Sequence, residues 1–105
     1  MAVLTVTAEN YNATVLQAGK PVLIEFYADW CGPCKALAPV LEDLSAENPA
    51  FQFCKINIDE SRDIADKMGI LSVPTLLLLQ NKTVMDTLIG YHNKAEILQF
   101  LQKQR

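Results

Sequence analysis

The feature that most constrains the fold is a run of apolar residues that does not alternate with polar ones. It covers residues 22–28, and its one charged member is Glu25. A strand with one face in water alternates between apolar and polar residues, so this run predicts a strand covered on both faces. Residues 51–58 are predicted to form a second buried strand. Buried strands require helices above and below them, and the two segments therefore predict a layered α/β domain.

The remaining signals alternate between helix and strand along the chain. Strands are predicted over residues 3–6, 22–28, 51–58, 74–80 and 83–89, with a tight turn at Asn81-Lys82 between the last two. Helices are predicted from Ala8 toward Gly19, over residues 34–46 and 61–68, and from a capping box at Asn93, this last one with Ile97, Leu98 and Leu101 facing inward. This order predicts a central mixed sheet, parallel across the helical crossovers and antiparallel at the C-terminal hairpin, with helices on both faces. Because the chain has no repeat and no linker, residues 1–105 are predicted to form a single domain.

The composition argues against several classes of protein. Nine basic and 12 acidic residues give a net charge of −3 without a basic cluster, which argues against nucleic-acid binding. No apolar run is long enough to span a membrane, and residues 1–10 lack the basic start and apolar stretch of an export signal. We therefore expect a cytoplasmic protein without membrane association. We also expect a monomer, because no large apolar surface is evident beyond the candidate site.

Two of the three cysteines, Cys31 and Cys34, follow a predicted strand and enter a predicted helix. Residues three apart share one face of a helix, so the two sulfur atoms are close enough to bond or separate. At the first turn, unpaired N–H groups and the helix dipole stabilise a Cys31 thiolate and lower its pKa below the free value of about 8.5. Gly32 keeps the approach to Cys31 open, and Pro33 stiffens the first turn. This spacing indicates redox chemistry, with Cys34 shielded and suited to a second step.

A metal site is the rival interpretation of these cysteines. Closed zinc sites take four ligands, and the chain offers Cys31, Cys34, Cys54 and His92. Their spacing is irregular, and Cys54 falls in a buried strand. We therefore predict no metal and no other cofactor, Cys54 as an inert core residue, and His92 as a surface residue.

The residues around the cysteine pair resemble the active-site segment of the thioredoxin family. The matching positions are residues 26–35 (FYADWCGPCK), Pro39, residues 55–59 (KINID), residues 73–75 (VPT) and Gly90. The resemblance covers essentially the whole chain and implies the thioredoxin fold. It also implies a protein disulfide reductase: Cys31 attacks a disulfide in a partner protein, and Cys34 then releases the reduced partner. A thioredoxin reductase, supplied ultimately by NADPH or ferredoxin, would reduce the pair again.

The same resemblance implies a surface that binds substrates. Pro74 corresponds to a cis-proline of the family, whose role is to present the Val73 backbone to an extended substrate segment. Trp30, Val73, Ile89, Gly90 and Tyr91 are expected to form an apolar rim around the cysteines. The neighbouring residues Leu71-Ser72 depart from the basic residue and glycine common in the family.

Glu25 is a carboxylate within an apolar strand, which is unfavourable unless the group is paired or protonated. The resemblance places it where the family usually has a buried aspartate that assists proton transfer from Cys34. Burial should raise the pKa of Glu25, and a nearby Lys55 ammonium should lower it. Our hypothesis is that Glu25 acts as a general acid/base on Cys34, directly or through a water molecule, with Lys55 beside it. The plain alternatives are an exposed edge position for Glu25 and a surface cation for Lys55.

Two other functions compete with the disulfide reductase. One is a disulfide oxidase or isomerase of the same fold, although Gly32-Pro33 between the cysteines resembles the reducing branch. The other is a non-catalytic binding module in which the cysteines are incidental. An intact cysteine pair together with Pro74 and a buried carboxylate argues against the binding module.

Overall fold

The computed structural model describes residues 3–103, so the domain limits predicted at 1 and 105 lie outside the described residues. Its strands are β1 (Val3–Thr5), β2 (Val22–Tyr27), β3 (Gln52–Asn57), β4 (Thr75–Gln80) and β5 (Thr83–Ile89). Its α-helices are α1 (Gly32–Glu47), α2 (Arg62–Lys67) and α3 (Lys94–Gln102). These bounds confirm the predicted elements to within one or two residues at most ends. None of the helices described is both long and apolar enough to cross a membrane.

The segment between β1 and β2 differs from the predicted helix. It contains a five-residue π-helix, Asn12–Leu16, in which the Gln17 N–H donates to the Asn12 carbonyl at 3.0 Å. The preceding residues are held in a turn, because the Thr7 N–H donates to the Asn10 side chain at 2.8 Å. Gly19, with a φ of 75°, ends the segment in the left-handed region. The turn at one end and the glycine at the other leave room for little more than one helical turn.

The strands form one mixed sheet in the order β1-β3-β2-β4-β5. β3 runs parallel to both β1 and β2, whereas β4 runs antiparallel to β2 and to β5. The mixed sheet and its antiparallel C-terminal hairpin are confirmed, but the expected parallel crossover through α2 is wrong. Six residues of α-helix span about 9 Å, whereas a six-residue strand spans about 20 Å. The chain therefore re-enters the sheet near the C-terminal end of β3. For that reason β4 runs in the direction opposite to β3.

Helices cover both faces of the sheet, as predicted. On one face, α1 and α3 contribute to the apolar cluster Leu23, Leu37, Leu41, Leu44, Phe53, Leu76, Leu78, Ile97, Phe100 and Leu101. On the other face, the π-helix and α2 cover Val6, Val15, Ile24, Phe26, Cys54, Ile56, Ala65 and Leu77. Because side chains alternate along a strand, Glu25 shares the α1 side with Leu23, and Lys55 shares it with Phe53. Cys54 points to the opposite face, as the alternation predicts.

The C-terminal hairpin and α3 follow local sequence rules. Asn81 and Lys82 both have positive φ, 53° and 67°, which is the signature of a type I′ turn between two antiparallel strands. At the start of α3, the Asn93 side chain accepts from the Glu96 N–H at 2.9 Å. The Glu96 carboxylate in turn accepts from the Asn93 N–H at 3.0 Å, which completes the predicted capping box. On its inner face Phe100 is buried, whereas the predicted Leu98 is only half-buried.

Candidate active site

The two cysteines lie at the start of α1 and form a disulfide, with their Cα atoms 5.3 Å apart. The helix begins at Gly32, two residues earlier than predicted, so Cys31 is the capping residue and Cys34 lies in the first turn. The Cys31 sulfur accepts from the Cys34 N–H at 3.2 Å. A sulfur in this position interacts with helix-end N–H groups, which favour its anionic form over the thiol. Gly32 and Pro33, between the cysteines, are exposed.

A second loop packs directly against the cysteine pair. The Val73–Pro74 peptide bond is cis, and Val73 contacts the small cluster formed by Ala28 and the two cysteines. Pro74 is fully buried, and its carbonyl accepts from the Gly90 N–H at 2.9 Å. The fold therefore brings together Val73, Pro74, Gly90 and the cysteines, which lie far apart in the sequence.

Exposed apolar side chains surround this centre. Three of the predicted rim residues are exposed: Trp30 and Tyr91 on loops, and Ile89 at the end of β5, whereas Val73 is half-buried. Trp30 is oriented by its indole N–H, which donates to Asp59 Oδ2 at 2.9 Å. Leu71 is 98% exposed, two residues before Val73. The sequence analysis noted Leu71 as a departure from the family beside the substrate surface but did not include it in the rim, although an apolar residue in a loop next to a candidate site is a usable signal.

Glu25 lies in the interior of the sheet. Its β2 position is flanked by β3 and β4, and the residue is only 4% exposed, so the edge-position alternative is wrong. Its Oε2 atom has no hydrogen-bond partner among residues 3–103. Burial raises the pKa of the Glu25 carboxyl to about 7, and the positive charge of Lys55 opposes that rise. Glu25 therefore titrates near neutral pH.

A small cavity joins Glu25 to the inner cysteine. It has a volume of about 150 Å³ and is lined by Glu25, Tyr27, Asp29, Cys34, Lys35, Ala38 and Lys55. A cavity of this size has room for water, and both a carboxyl and a sulfur line it. The chemistry that such an arrangement permits is transfer of a proton between Glu25 and Cys34.

Lys55 lies directly opposite Glu25 in the pairing of β2 with β3 and is half-buried. Its ammonium nitrogen lies 5.6 Å from the centroid of the Tyr27 ring, within the range of a cation–π interaction. Asn57 is the residue paired with Tyr27 between the same two strands. The sequence analysis missed Tyr27 as a partner of Lys55, because the pairing of β2 with β3 is not visible in either strand alone.

Cys54 and His92 lie apart from this centre. Burial raises the pKa of the Cys54 thiol to about 12, and its side chain packs on the sheet face opposite Lys55. The His92 ring is engaged with the Ile89 carbonyl, at 3.0 Å from Nε2. The four ligands of the alternative metal site are therefore not brought together. Among the residues described, no group of three or more histidine, cysteine or acidic residues is arranged to hold a metal ion.

Comparison with known proteins agrees with this geometry. A family model described as Thioredoxin matches residues 2–103. A thioredoxin of Pseudomonas aeruginosa is 38% identical over 100 residues, covering 94% of this chain and 93% of the relative. A thioredoxin of Bacillus subtilis is 38% identical over 104 residues, covering 98% of both chains. One from Streptomyces clavuligerus is 41% identical over 93 residues, covering 89% of this chain and 87% of the relative. The chain therefore belongs to the thioredoxin family, and its Cys31–Cys34 couple makes it a reductase of disulfides.

Proposed function

We propose that Cys31 is the attacking nucleophile and Cys34 the cysteine that releases the product. The Cys31 thiolate attacks one sulfur of a substrate disulfide, forms a mixed disulfide, and displaces the other substrate sulfur as a thiolate. Cys34 then attacks the Cys31 sulfur, which frees the second substrate thiol and leaves the Cys31–Cys34 disulfide. Two electrons and two protons pass from the cysteine pair to the substrate.

The observation that carries this assignment is the position of Cys31 as the capping residue of α1. Its sulfur accepts from the Cys34 N–H at 3.2 Å, so the negative charge of a thiolate is stabilised there. Cys34 lies three residues further along, within the first turn, and lines the cavity of Glu25, which suits it to the second step. A deprotonating group beside Cys34 matters most in that step, because Cys34 has to lose its proton before it attacks.

Glu25 is the proposed proton acceptor. A general base works best when its pKa is close to the operating pH, and burial raises the pKa of Glu25 to about 7. Lys55 is the group that stabilises the ionised carboxylate. The glutamate side chain reaches one methylene further than the aspartate usual in the family, and the shared cavity accommodates a water molecule between the carboxyl and Cys34.

Substrates are proposed to dock as an extended segment along Val73. Neither the N–H nor the C=O of Val73 has a hydrogen bond within residues 3–103, so both are free to pair with another backbone. The exposed side chains of Trp30, Leu71, Ile89 and Tyr91 supply apolar contacts around the reacting sulfur atoms. Gly32 and Gly90 leave room for the substrate backbone, and Pro33 and Pro74 keep the two loops stiff.

The couple has to be reduced again after each turnover. We assign that step to a thioredoxin reductase, and we place the cycle in the cytoplasm, where thiols are kept reduced. No cofactor of its own is needed, since both electrons are carried by the two sulfur atoms. We expect the chain to act as a monomer, with its apolar rim left free for substrates.

Trapping of mixed disulfides tests the order of attack. A Cys34→Ser variant should accumulate a covalent complex with a disulfide-bonded protein substrate, whereas Cys31→Ser should not. The reverse pattern would exchange the two roles. The reduction potential, followed by the fluorescence of Trp30, separates a reductase from an oxidase or isomerase. We expect a value near the −270 mV typical of thioredoxins, whereas about −180 to −120 mV would favour the alternative.

A further inference from the structure

Tyr27 is anchored on two sides within the active-site cavity. Its ring face lies under the ammonium of Lys55, and its side chain packs against the cluster of Ala28, Cys31 and Cys34. The Asn57 carbonyl oxygen Oδ1 accepts from the N–H groups of Asp59 and Glu60 at 2.8 and 3.2 Å. The amide of Asn57, the residue paired with Tyr27 between β2 and β3, is therefore oriented. The Tyr27 ring is held between the cysteine cluster and the Lys55 side chain.

The position of the Lys55 ammonium follows from that ring. A lysine side chain has four rotatable methylenes and a strongly hydrated head, so a half-buried lysine is not held in place by packing alone. Tyr27 and Glu25 are two residues apart on β2 and point to the same side of the sheet. A cation held over the Tyr27 ring is thereby also held beside the Glu25 carboxyl.

We propose that Tyr27 is a positioning residue, whose ring holds the Lys55 ammonium at the cavity that Glu25 shares with Cys34. The proposal extends the role given to Glu25 under the proposed function. Its consequence for catalysis rests on that role. It makes the proton affinity of a buried carboxyl depend on an aromatic ring that packs beside the cysteine pair but takes no part in thiol–disulfide exchange.

The charges around Glu25 make Lys55 the decisive neighbour. From β2 the titratable residues that line the cavity with Glu25 are Tyr27 and, just beyond the strand, Asp29; from α1 they are Cys34 and Lys35. β3 contributes Lys55, and on β4 the residue paired with Glu25 is the apolar Leu76. Lys55 is the cation whose charge lowers the pKa of Glu25. Without the ring, we expect the ammonium to move toward water, so that ionised Glu25 loses its main electrostatic support.

The test is the titration of the Glu25 carboxyl, followed by its carbon-13 chemical shift in the oxidised protein. In that state Cys31 and Cys34 do not titrate, so the curve reports on Glu25 without overlap. Tyr27→Leu should raise the midpoint by about half a pH unit or more, from the loss of one charge at short range. Tyr27→Phe, which keeps the ring, should leave the midpoint near the wild-type value. Tyr11→Leu is the matched control, because this half-buried tyrosine packs on the opposite face of the sheet and should not move the midpoint.

A double variant shows whether Tyr27 acts through Lys55. If it does, Tyr27→Leu should shift the midpoint in the wild-type background and add nothing in a Lys55→Gln background. An equal shift in both backgrounds, no shift, or a downward shift would overturn the proposal. The test is separate from that of Glu25 in catalysis, which is read from the rate of substrate release in Glu25→Gln. If Tyr27→Leu does not fold, Tyr27→Met, which also lacks the ring, replaces it with the same expected shift in the wild-type background and none added in the Lys55→Gln background.

Discussion

Glu25 and Lys55 are directly paired residues of neighbouring parallel strands, yet the lysine ammonium lies over the Tyr27 ring and Glu25 Oε2 has no hydrogen-bond partner among the described residues. Burial of a carboxylate is unfavourable, and a charge in the vicinity offsets that only in part. The Glu25 carboxyl therefore stays protonated at pH values well above the usual pKa of a glutamic acid. This is the property that a proton acceptor for a cysteine thiol requires.

The raised pKa of Glu25 makes stability depend on pH. The folded-state pKa of about 7 lies above the ordinary value of 4.5, so the folded protein retains a proton that the unfolded chain releases. The stabilising contribution of the protonated form is fully present below pH 4.5 and is lost as the pH rises through 7. Wild type should lose this contribution as the pH rises from 5 to 8, whereas the neutral glutamine of Glu25→Gln should not. The unfolding free energy of the variant minus that of wild type should therefore increase by roughly 2–3 kcal/mol from pH 5 to pH 8. Urea denaturation of the oxidised proteins measures this, and a difference that is the same at both pH values would contradict it.

The same variant tests the kinetic role of Glu25. Replacement by glutamine removes the proton acceptor but keeps the shape, so release of substrate from the mixed disulfide should slow by about 10- to 100-fold. The rate of attack by Cys31 should change much less, because the start of α1 stabilises the Cys31 thiolate. Rapid-mixing measurements of the two steps separate them. Equal slowing of both would mean that Glu25 does not act on Cys34.

Leu71 should affect the binding of substrates more than the chemical steps. Half of a leucine side chain buried on binding contributes about 1 kcal/mol, so Leu71→Ser should raise KM about fivefold for a peptide disulfide flanked by leucine. The value of kcat should be preserved. Met85→Ser is the matched control, since Met85 is an exposed apolar residue, 46% accessible, on β5 outside the rim. If both variants changed KM alike, Leu71 would have no special place in docking.

Cys54 should be inert toward alkylating reagents in the folded protein. Its thiol is buried, and a pKa of about 12 leaves almost no thiolate at neutral pH. In the oxidised protein, iodoacetamide should modify Cys54 only after denaturation, as mass spectrometry can follow. Cys54→Ala should retain reductase activity while losing some stability. Modification of native oxidised protein at pH 7 would show that Cys54 is accessible.

The capping box of α3 provides a test of local stability. Asn93→Ala removes the acceptor of the Glu96 N–H bond and should lower the unfolding free energy by about 1 kcal/mol. Asn93→Asp, which keeps an acceptor at the helix start, should be close to wild type. Thermal or urea unfolding measures both variants. A destabilisation shared equally by both would point to a role of Asn93 other than capping.

Local sequence determined the elements of this protein and the chemistry at the start of α1. The apolar run of β2, the capping box at Asn93 and the cysteine spacing each act within a few residues, because strand alternation, helix capping and the reach of a sulfur atom are local properties. For that reason the cysteine pair and most element bounds follow from the sequence. The π-helix is shorter than the predicted helix because the turn at Asn10 and the left-handed Gly19 bound it, and α1 begins two residues earlier than predicted.

Tertiary structure decided the direction of β4 and the surroundings of Glu25. The short α2 returns the chain to the end of the sheet at which β3 finished, and this geometry makes β4 antiparallel to β2. Whether a carboxyl is an edge group or a buried one depends on which strands flank it, and the position of the Lys55 ammonium over the Tyr27 ring depends on the pairing of β2 with β3. These relationships join residues that are distant in the chain. They exist only once the sheet has assembled, because packing sets both the distances and the loss of solvent that determine the pKa of Glu25.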